Sequence, residues 1–134
     1  MKMHLVKARA LYALVAAAAL AALAACASAP SAAGPAKVAD GVLVGSNGMT
    51  LYTFDKDTAG SGKSVCNGQC ATNWPPLMAK DGDAASGDWS IVTRDDGAKQ
   101  WAMKGKPLYY FIKDTKAGDK TGEGVMQAWH AAKP

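Results

Sequence analysis

The sequence predicts a mainly β fold: a small single domain of two tandem strand-turn-strand repeats with long glycine-rich loops. Short apolar runs rich in β-branched and aromatic residues alternate with Asn, Asp and Gly turn signals, which is the pattern of antiparallel strands. The phrase LYTFDKDTAG at residues 51–60 returns as LYYFIKDTKAG at residues 108–118, so these strands belong to a repeated unit. We expect the two repeats to form an antiparallel sheet or a partly closed barrel.

The N-terminal residues 1–25 have the features of a bacterial lipoprotein signal peptide. Lys2, Lys7 and Arg9 form a basic start, and an uninterrupted apolar run follows that is short for a transmembrane helix. The run ends in LAAC, which resembles a lipobox. This resemblance implies cleavage before Cys26 and acylation of that cysteine, so the membrane becomes a partner through a lipid anchor. A plain signal peptide or a transmembrane anchor is the alternative.

Removal of the signal peptide changes the charge of the chain. The net charge falls from +4 to +1, because three of the 15 basic residues leave and all 11 acidic residues remain. No basic stretch with interleaved aromatic residues is left, which argues against a nucleic-acid partner. The residue after Cys26 is alanine and not the aspartate that often signals inner-membrane retention. We therefore expect the outer membrane, at its periplasmic face or surface, if the host is Gram-negative.

The remaining chain divides into a tether and a domain. Residues 26–37 hold the lipidated cysteine and a stretch of Ala, Ser, Pro and Gly, which predicts a flexible tether. Residues 38–134 are too few for two independent cores and predict one β-rich domain. Within it, repeat 1 covers about residues 41–77 and repeat 2 about residues 98–132.

Turn signals place the strands in order. The runs VADGVLVG and MTLYTF flank the turn Ser46-Asn47-Gly48, and Asn-Gly between β-formers predicts a hairpin. Further on, an Asp-Asp-Gly turn separates WSIVTR from KQWAMK, and Gly-Lys-Pro then leads into PLYYF. This pattern predicts a three-stranded meander. A helical turn fits residues 71–73 before the proline pair, and VMQAWHAA at residues 125–132 favours a final strand over a helix.

Each repeat carries the pattern Tyr-x-Phe-x-x-Asp. Alternation along a strand places the Tyr and the Phe on one face, so the two strands can bring four aromatic rings into one core. The Asp can accept backbone hydrogen bonds from the glycine-rich loop that follows. The motif residues are Tyr52, Phe54 and Asp57 in repeat 1, and Tyr109, Phe111 and Asp114 in repeat 2, at a constant offset of 57 residues (109 minus 52).

These repeats resemble the bacterial secreted-repeat lipoproteins named for a Yx(FWY)xxD motif. The resemblance spans roughly residues 41–132 and includes CNGQCATNWPPL and GKPLYYFIKDTKAGDKTGEGVMQAW. It implies a location in the cell envelope and a repeat architecture. It implies no reaction, because the function of that family is uncharacterised.

Cys66 and Cys70 are the even pair that remains once Cys26 is lipidated. An exported chain meets an oxidising compartment, so we expect a disulfide between them. Three residues separate the pair, whereas a thioredoxin-type site has two, and Ala71 stands where a c-type haem site needs histidine. We expect a structural bridge that orders the first loop and contributes about 2 kcal/mol. A redox-active bridge is the alternative.

Metal sites are weakly indicated. Asp55 and Asp57, with Gly60, imitate the start of an EF-hand, but the twelfth position holds Cys66 where calcium needs a glutamate. Solvated carboxylates that cap turns are the better interpretation. The weak candidates for a copper ligand are scattered and show no ligand spacing, so we expect no metal and no cofactor. They are Met49, Met103, Met126 and His130, with Met78 as a further methionine.

The remaining features indicate a binding or structural role. His130 is the one histidine left after processing, no nucleophile motif surrounds a serine, and Asp95 and Asp96 mark a turn, so we expect no enzyme. The tryptophans either fill the core or form a stacking platform for sugars or peptidoglycan. They are Trp74, Trp89, Trp101 and Trp129.

We therefore expect a non-enzymatic binding or structural module at the membrane surface, whose envelope ligand or protein partner the sequence does not identify. The alternative is a periplasmic redox or metal-handling protein, related to copper or haem. Such a protein would use the Cys66 and Cys70 pair, or the methionine and histidine ligands.

Overall fold

The computed structural model describes residues 34–134. The predicted signal peptide, residues 1–25, and the predicted lipidation site, Cys26, lie outside the described residues, as does most of the predicted tether. Strand β1, Ala36–Ala39, begins inside the segment predicted as tether, residues 26–37. The folded part therefore starts before the predicted boundary at residue 38.

Strand β1 pairs with strand β2, Val42–Gly45, in an antiparallel hairpin. The turn between them consists of Asp40 and Gly41, whose φ angles are 51° and 80°. Positive φ at both central residues is what a tight hairpin turn of this type needs. The prediction of one strand region over VADGVLVG is wrong, because its Asp-Gly pair is itself a turn.

The predicted hairpin at Ser46-Asn47-Gly48 is confirmed by the hydrogen bonds that close it. The amide of Gly45 donates to the carbonyl of Met49 at 2.9 Å, and the amide of Gly48 donates to the carbonyl of Gly45 at 2.9 Å. The chain then continues into strand β3, Tyr52–Phe54, which leaves this hairpin and pairs with the last strand of the domain.

The predicted meander is also confirmed. Strand β4, Trp89–Thr93, pairs with β5, Lys99–Met103, and β5 pairs with the two-residue strand β6, Lys106–Pro107. Helix α1, Gln69–Asn73, covers the predicted helical turn and ends just before the proline pair.

The final segment is a strand only in its second half. A 3₁₀ turn, Val125–Gln127, precedes strand β7, Trp129–Ala131. Met126 and Gln127 have φ angles of 53° and 56°. Since left-handed residues cannot continue a strand, the predicted strand over residues 125–132 was wrong for its first half.

The domain is mainly β, as predicted, and its strands pair antiparallel in three short sheets: β1-β2, β3-β7 and β4-β5-β6. The sheets are joined by isolated bridges, one of which links Tyr52 to Tyr109. Their backbones exchange hydrogen bonds, with the amide of Tyr52 2.7 Å from the carbonyl of Tyr109 and the reverse pair 2.9 Å apart. The motif tyrosines of the two repeats therefore face each other at the centre.

The last residues of each repeat also form a backbone hydrogen bond with the other repeat. The amide of Ala132, at the end of repeat 2, donates to the carbonyl of Leu51 in repeat 1 at 2.8 Å. In the matching position, the amide of Leu77, at the end of repeat 1, donates to the carbonyl of Leu108 in repeat 2 at 2.9 Å. Each repeat thus completes the backbone pairing of the other.

Alternation along the central strands gives the domain two apolar clusters. Leu51 and Leu108 point into one cluster, whereas the adjacent Tyr52 and Tyr109 point into the other, and all four side chains are fully buried. Because both faces of the central strands are covered, this region is the most constrained part of the fold. The tyrosine side contains the aromatic cluster described below.

Candidate functional site

The motif residues form hydrogen bonds between the repeats. The hydroxyl of Tyr52 donates to Oδ2 of Asp114 at 2.6 Å, and the hydroxyl of Tyr109 donates to Oδ2 of Asp57 at 2.5 Å. Each repeat therefore supplies the tyrosine for the aspartate of the other. The spacing of the motif indicated the four residues, but not this exchange.

The second oxygen of each aspartate caps the loop that follows it. Oδ1 of Asp57 accepts the amide of Val65 at 2.8 Å, and Oδ1 of Asp114 accepts the amide of Thr121 at 2.9 Å. This confirms the predicted capping. Burial raises the pKa of Tyr109, and its bond to Asp57 raises that pKa further. The phenol therefore stays neutral and acts as a donor.

Arg94 is a buried cation beside the first of these pairs. Its guanidinium donates to Oγ of Ser64 at 3.0 Å, to Oε1 of Gln100 at 2.7 Å, and to the carbonyl of Cys66. Ser64 in turn shares a hydrogen bond of 2.6 Å with the hydroxyl of Tyr109. The sequence does not single out Arg94, because an arginine next to an Asp-Asp-Gly turn has the composition of a solvated loop.

Four aromatic rings stack in one column through the tyrosine-side cluster. The rings of Trp74 and Trp129 lie 3.7 Å apart between centroids and are nearly parallel, with an interplanar angle of 1°. Phe111 stacks on Trp74 at 4.0 Å, and Phe54 stacks on Trp129 at 4.2 Å. The phenylalanine of each repeat thus covers the tryptophan of the other. The predicted aromatic core is confirmed.

The predicted disulfide is present between Cys66 and Cys70. Cys66 is fully buried and packs in the aromatic cluster, and Cys70 is partly buried beside it. Helix α1 starts next to the bridge, and the amide of Trp74 donates to the carbonyl of Cys70 at 2.8 Å. The bridge therefore fixes the loop that delivers Trp74 to the column, as expected for a structural role.

His130 lies between two carboxylates at the surface. Its Nε2 is 2.9 Å from Oδ2 of Asp55, and its Nδ1 is 3.1 Å from Oε2 of Glu123. The hydrogen bond with Asp55, and then that with Glu123, raises the pKa of His130 above its usual value. Oε1 of Glu123 also accepts the amide of Ala131 at 2.8 Å. These contacts fix the imidazole of His130, the middle residue of strand β7, between the two carboxylates.

The candidate metal ligands lie in different surroundings. Within residues 34–134, no group of three or more His, Cys, Asp and Glu side chains could hold a metal ion. Met126 is 79% exposed in the left-handed turn, whereas Met103 shares a small pocket with His130. The two calcium candidates are already hydrogen-bonded, Asp55 to His130 and Asp57 to Tyr109.

Of the four tryptophans, all of which lie within residues 34–134, only Trp89 is exposed enough to contact a ligand. Trp74, Trp101 and Trp129 are 4%, 8% and 1% exposed, so their faces cannot form a stacking platform. Trp89 is half-buried and packs edge-on against Trp101 with 6.0 Å between ring centroids. The backbone of Gly34 lies directly on its indole, since an added Cβ would be 2.2 Å from Nε1.

Trp89 borders an open groove of about 590 Å³. Its apolar lining includes the buried Leu77 and Trp101 and also Met78, which is 49% exposed. The polar residues that line the groove are all exposed and form its rim. The rim residues are Ser46, Lys80, Asp83 and Ser86.

Comparison with known proteins identifies one family. The model of the family Lipoprotein_15, described as a secreted repeat of unknown function, matches residues 34–78 and again residues 90–133. These two matches cover more than half of the chain, and they contain the two repeats, residues 41–77 and 98–132. Neither a curated protein nor a solved structure matches the chain. No helix within residues 34–134 is long and apolar enough to cross a membrane.

Proposed function

The chain belongs to this family of secreted repeats of unknown function, and from that premise we propose that it is a non-enzymatic binding or structural module of the cell envelope. A secreted repeat suggests a location outside the cytoplasm. The lipobox-like end of the N-terminal segment supports a lipid anchor at Cys26 and a place on the periplasmic face or the surface of the outer membrane. The mass of the mature protein, measured with and without a Cys26→Ser substitution, tests the anchor.

The observation that carries this proposal is the internal use of the motif. The tyrosine and aspartate side chains that define the repeats are bonded to each other across the domain and are largely buried. These hydrogen bonds hold the two repeats together, so the side chains that form them are not available to bind a substrate. Because the most distinctive polar residues of the domain are used within its own core, the domain is best suited to a binding or structural role through its surface.

The groove beside Trp89 is the surface that best suits a ligand. It combines one half-buried indole with hydroxyl, ammonium and carboxylate groups at the rim, and ligand sites commonly pair an apolar floor with a few polar groups. Aromatic rings offer a flat apolar face to a sugar ring, while the rim groups can bind its hydroxyls. We therefore assign the glycan strands of the cell wall as the ligand class.

Co-sedimentation of the mature protein with purified peptidoglycan tests this assignment. We expect binding by the natural protein and by a Trp89→Phe variant, which keeps an aromatic face. Trp89→Ala should lose most of the binding. The matched control is Ile112→Ala, which removes a side chain that is 54% exposed and does not line the groove. No sedimentation of the natural protein, or equal sedimentation of all variants, would contradict the glycan assignment.

The redox or metal-handling alternative has its own test. The protein is purified without chelator, its metal content is measured, and its thiols are titrated before and after mild reduction. We expect no stoichiometric metal and slow opening of the Cys66–Cys70 bridge, because Cys66 is fully buried. Stoichiometric copper, iron or zinc, or a bridge that opens at once, would contradict the proposal and favour the alternative.

A further inference from the structure

A second pocket lies away from the Trp89 groove, between the β5–β6 turn and the C-terminal segment. Its volume is about 310 Å³. Lys104 and Lys106 line it from the turn, and Lys133 lines it from the residues that follow strand β7. Met103 and Leu108 contribute to its wall. Neither the repeat motif nor the groove makes use of this pocket.

Within residues 34–134, the three lysines of this pocket form no salt bridge. The carboxylate of Asp55 also lines the pocket, where it is paired with His130. Glu123 lies near enough to act on Lys133, so three lysines face two carboxylates and positive charge is in excess. Like charges that lie close together repel each other, and a bound anion relieves the repulsion.

The turn that contains Lys104 and leads into Lys106, the first residue of strand β6, is held in a fixed position. Lys104 and Gly105 form it with φ angles of 52° and 82°, and the amide of Lys104 donates to the carbonyl of Asp88 at 2.8 Å. The backbone of Gly105 packs on Gly60, where an added Cβ would lie 2.6 Å from the amide nitrogen. Lys104 and Lys106 therefore start from an ordered backbone, which reduces the entropy lost on binding.

We propose that this pocket binds a phosphate-type anion through the ammonium groups of Lys104, Lys106 and Lys133. Lysine binds phosphate as a compact point charge, and three such groups match an anion of multiple negative charge. The phosphate can belong to a lipid headgroup or to a free phosphate compound. The proposal goes beyond the proposed function and does not involve the Trp89 groove, so either can fail without the other.

Calorimetric titration of the mature protein with sodium pyrophosphate, and flotation with phosphatidylcholine vesicles with and without phosphatidylglycerol, test the proposal. The test variant is Lys104→Gln, Lys106→Gln and Lys133→Gln combined. The matched control is Lys63→Gln, Lys99→Gln and Lys113→Gln, which removes the same charge from exposed positions outside the pocket. The thermal midpoint of each variant confirms that it folds.

We expect the natural protein and the control to bind and the test variant to bind at least about tenfold more weakly, with affinity falling as salt rises. Pyrophosphate binding assigns the pocket to free phosphate compounds, whereas binding only to the phosphatidylglycerol vesicles assigns it to lipid headgroups. Absence of binding in both experiments, or equal weakening of the control and the test variant, would overturn the proposal.

Discussion

The hydroxyl of Tyr109 is the point at which the two repeats depend on each other most closely. It donates to Asp57 and shares a hydrogen bond with Ser64, which Arg94 also contacts. Buried polar groups are stable only when their partners are complete, and in the described residues every buried side-chain nitrogen and oxygen has one. Removal of one member of this network therefore leaves its buried partners without a hydrogen bond, which lowers the stability of the fold.

Arg94 provides the first prediction at this scale. Arg94→Met keeps most of the buried stem but leaves the carbonyl of Cys66 and the side chain of Gln100 without their charged donor. We expect the free energy of unfolding to fall by about 3 kcal/mol, measured by urea denaturation. Lys99→Met, at an exposed position of the neighbouring strand, is the control and should change it by less than about 0.5 kcal/mol. A similar small loss for both variants would contradict the role given to Arg94.

The second prediction at this scale concerns the effect of His130 protonation on the stability of the fold. Its pKa is raised by Asp55 and then by Glu123, so the protonated ring favours the folded state. This stabilisation is complete below the unfolded pKa of about 6.5 and is lost as the pH rises through the higher folded pKa. Proton NMR of the chain without residues 1–25, in which His130 is the single histidine, should show that Asp55→Asn lowers the pKa of His130. Asp95→Asn, outside this cluster, should leave that pKa unchanged, and an unchanged pKa in Asp55→Asn would contradict the assignment.

At the scale of the elements, the two long loops are ordered by different means. The first, between Asp57 and Trp74, relies on the disulfide and helix α1. The second relies on Asp119, whose Oδ2 accepts the amide of Thr115 at 2.9 Å and whose Oδ1 pairs with Lys116 at 2.7 Å. The hydrogen bond from Lys116 lowers the pKa of Asp119. This difference explains why only the first repeat has a cysteine pair.

The bridge itself can be tested. Cys66→Ser combined with Cys70→Ser should lower the free energy of unfolding by about 2 kcal/mol, because the five-residue loop no longer restricts the unfolded chain. Urea denaturation measures the change. Reductant should destabilise the natural protein by a similar amount and should not affect the serine variant. A further loss in the reduced serine variant would mean that the reductant acts elsewhere.

Two equivalent turn glycines give a matched comparison. Gly48 and Gly105 both have a φ of 82°, so alanine is strained at either position by about 1 kcal/mol. An added Cβ at Gly48 would lie 3.2 Å from the side chain of Ala117, but at Gly105 it would lie 2.6 Å from the backbone of Gly60. Gly105→Ala should therefore lower the thermal midpoint more than Gly48→Ala does. The reverse order would contradict the packing of the two turns.

For the whole molecule, the central feature is that neither repeat is complete alone. The hydroxyl-carboxylate bonds and the backbone pairing of Leu77 and Ala132 all run between repeats. The column of rings follows the same rule, since each outer phenylalanine covers a tryptophan of the other repeat. The domain is therefore better described as two interlocked halves than as two adjacent units.

Local signals in the sequence predicted the parts of this fold that depend on neighbouring residues. The Asn47-Gly48 hairpin, the meander and the disulfide are each coded within a few positions. The pairing of β3 with β7 and the exchange between Tyr and Asp join residues more than 50 positions apart. Such contacts depend on the packing of the whole chain, and a single sequence does not specify them. The burial of Arg94 likewise depends on distant partners, because Ser64 and the carbonyl of Cys66 lie 30 and 28 positions away in the chain.

The central claim is that the motif residues serve the fold by bonding across the repeats. A double-mutant cycle of Tyr52→Phe and Asp114→Ala, followed by urea denaturation, tests it most directly. We expect a coupling free energy of about 1–3 kcal/mol. The control cycle pairs Tyr52→Phe with Asp57→Ala, in the same repeat and without a hydrogen bond between them, and should give less than about 0.5 kcal/mol. Coupling across the repeats no larger than that of the control would contradict the account.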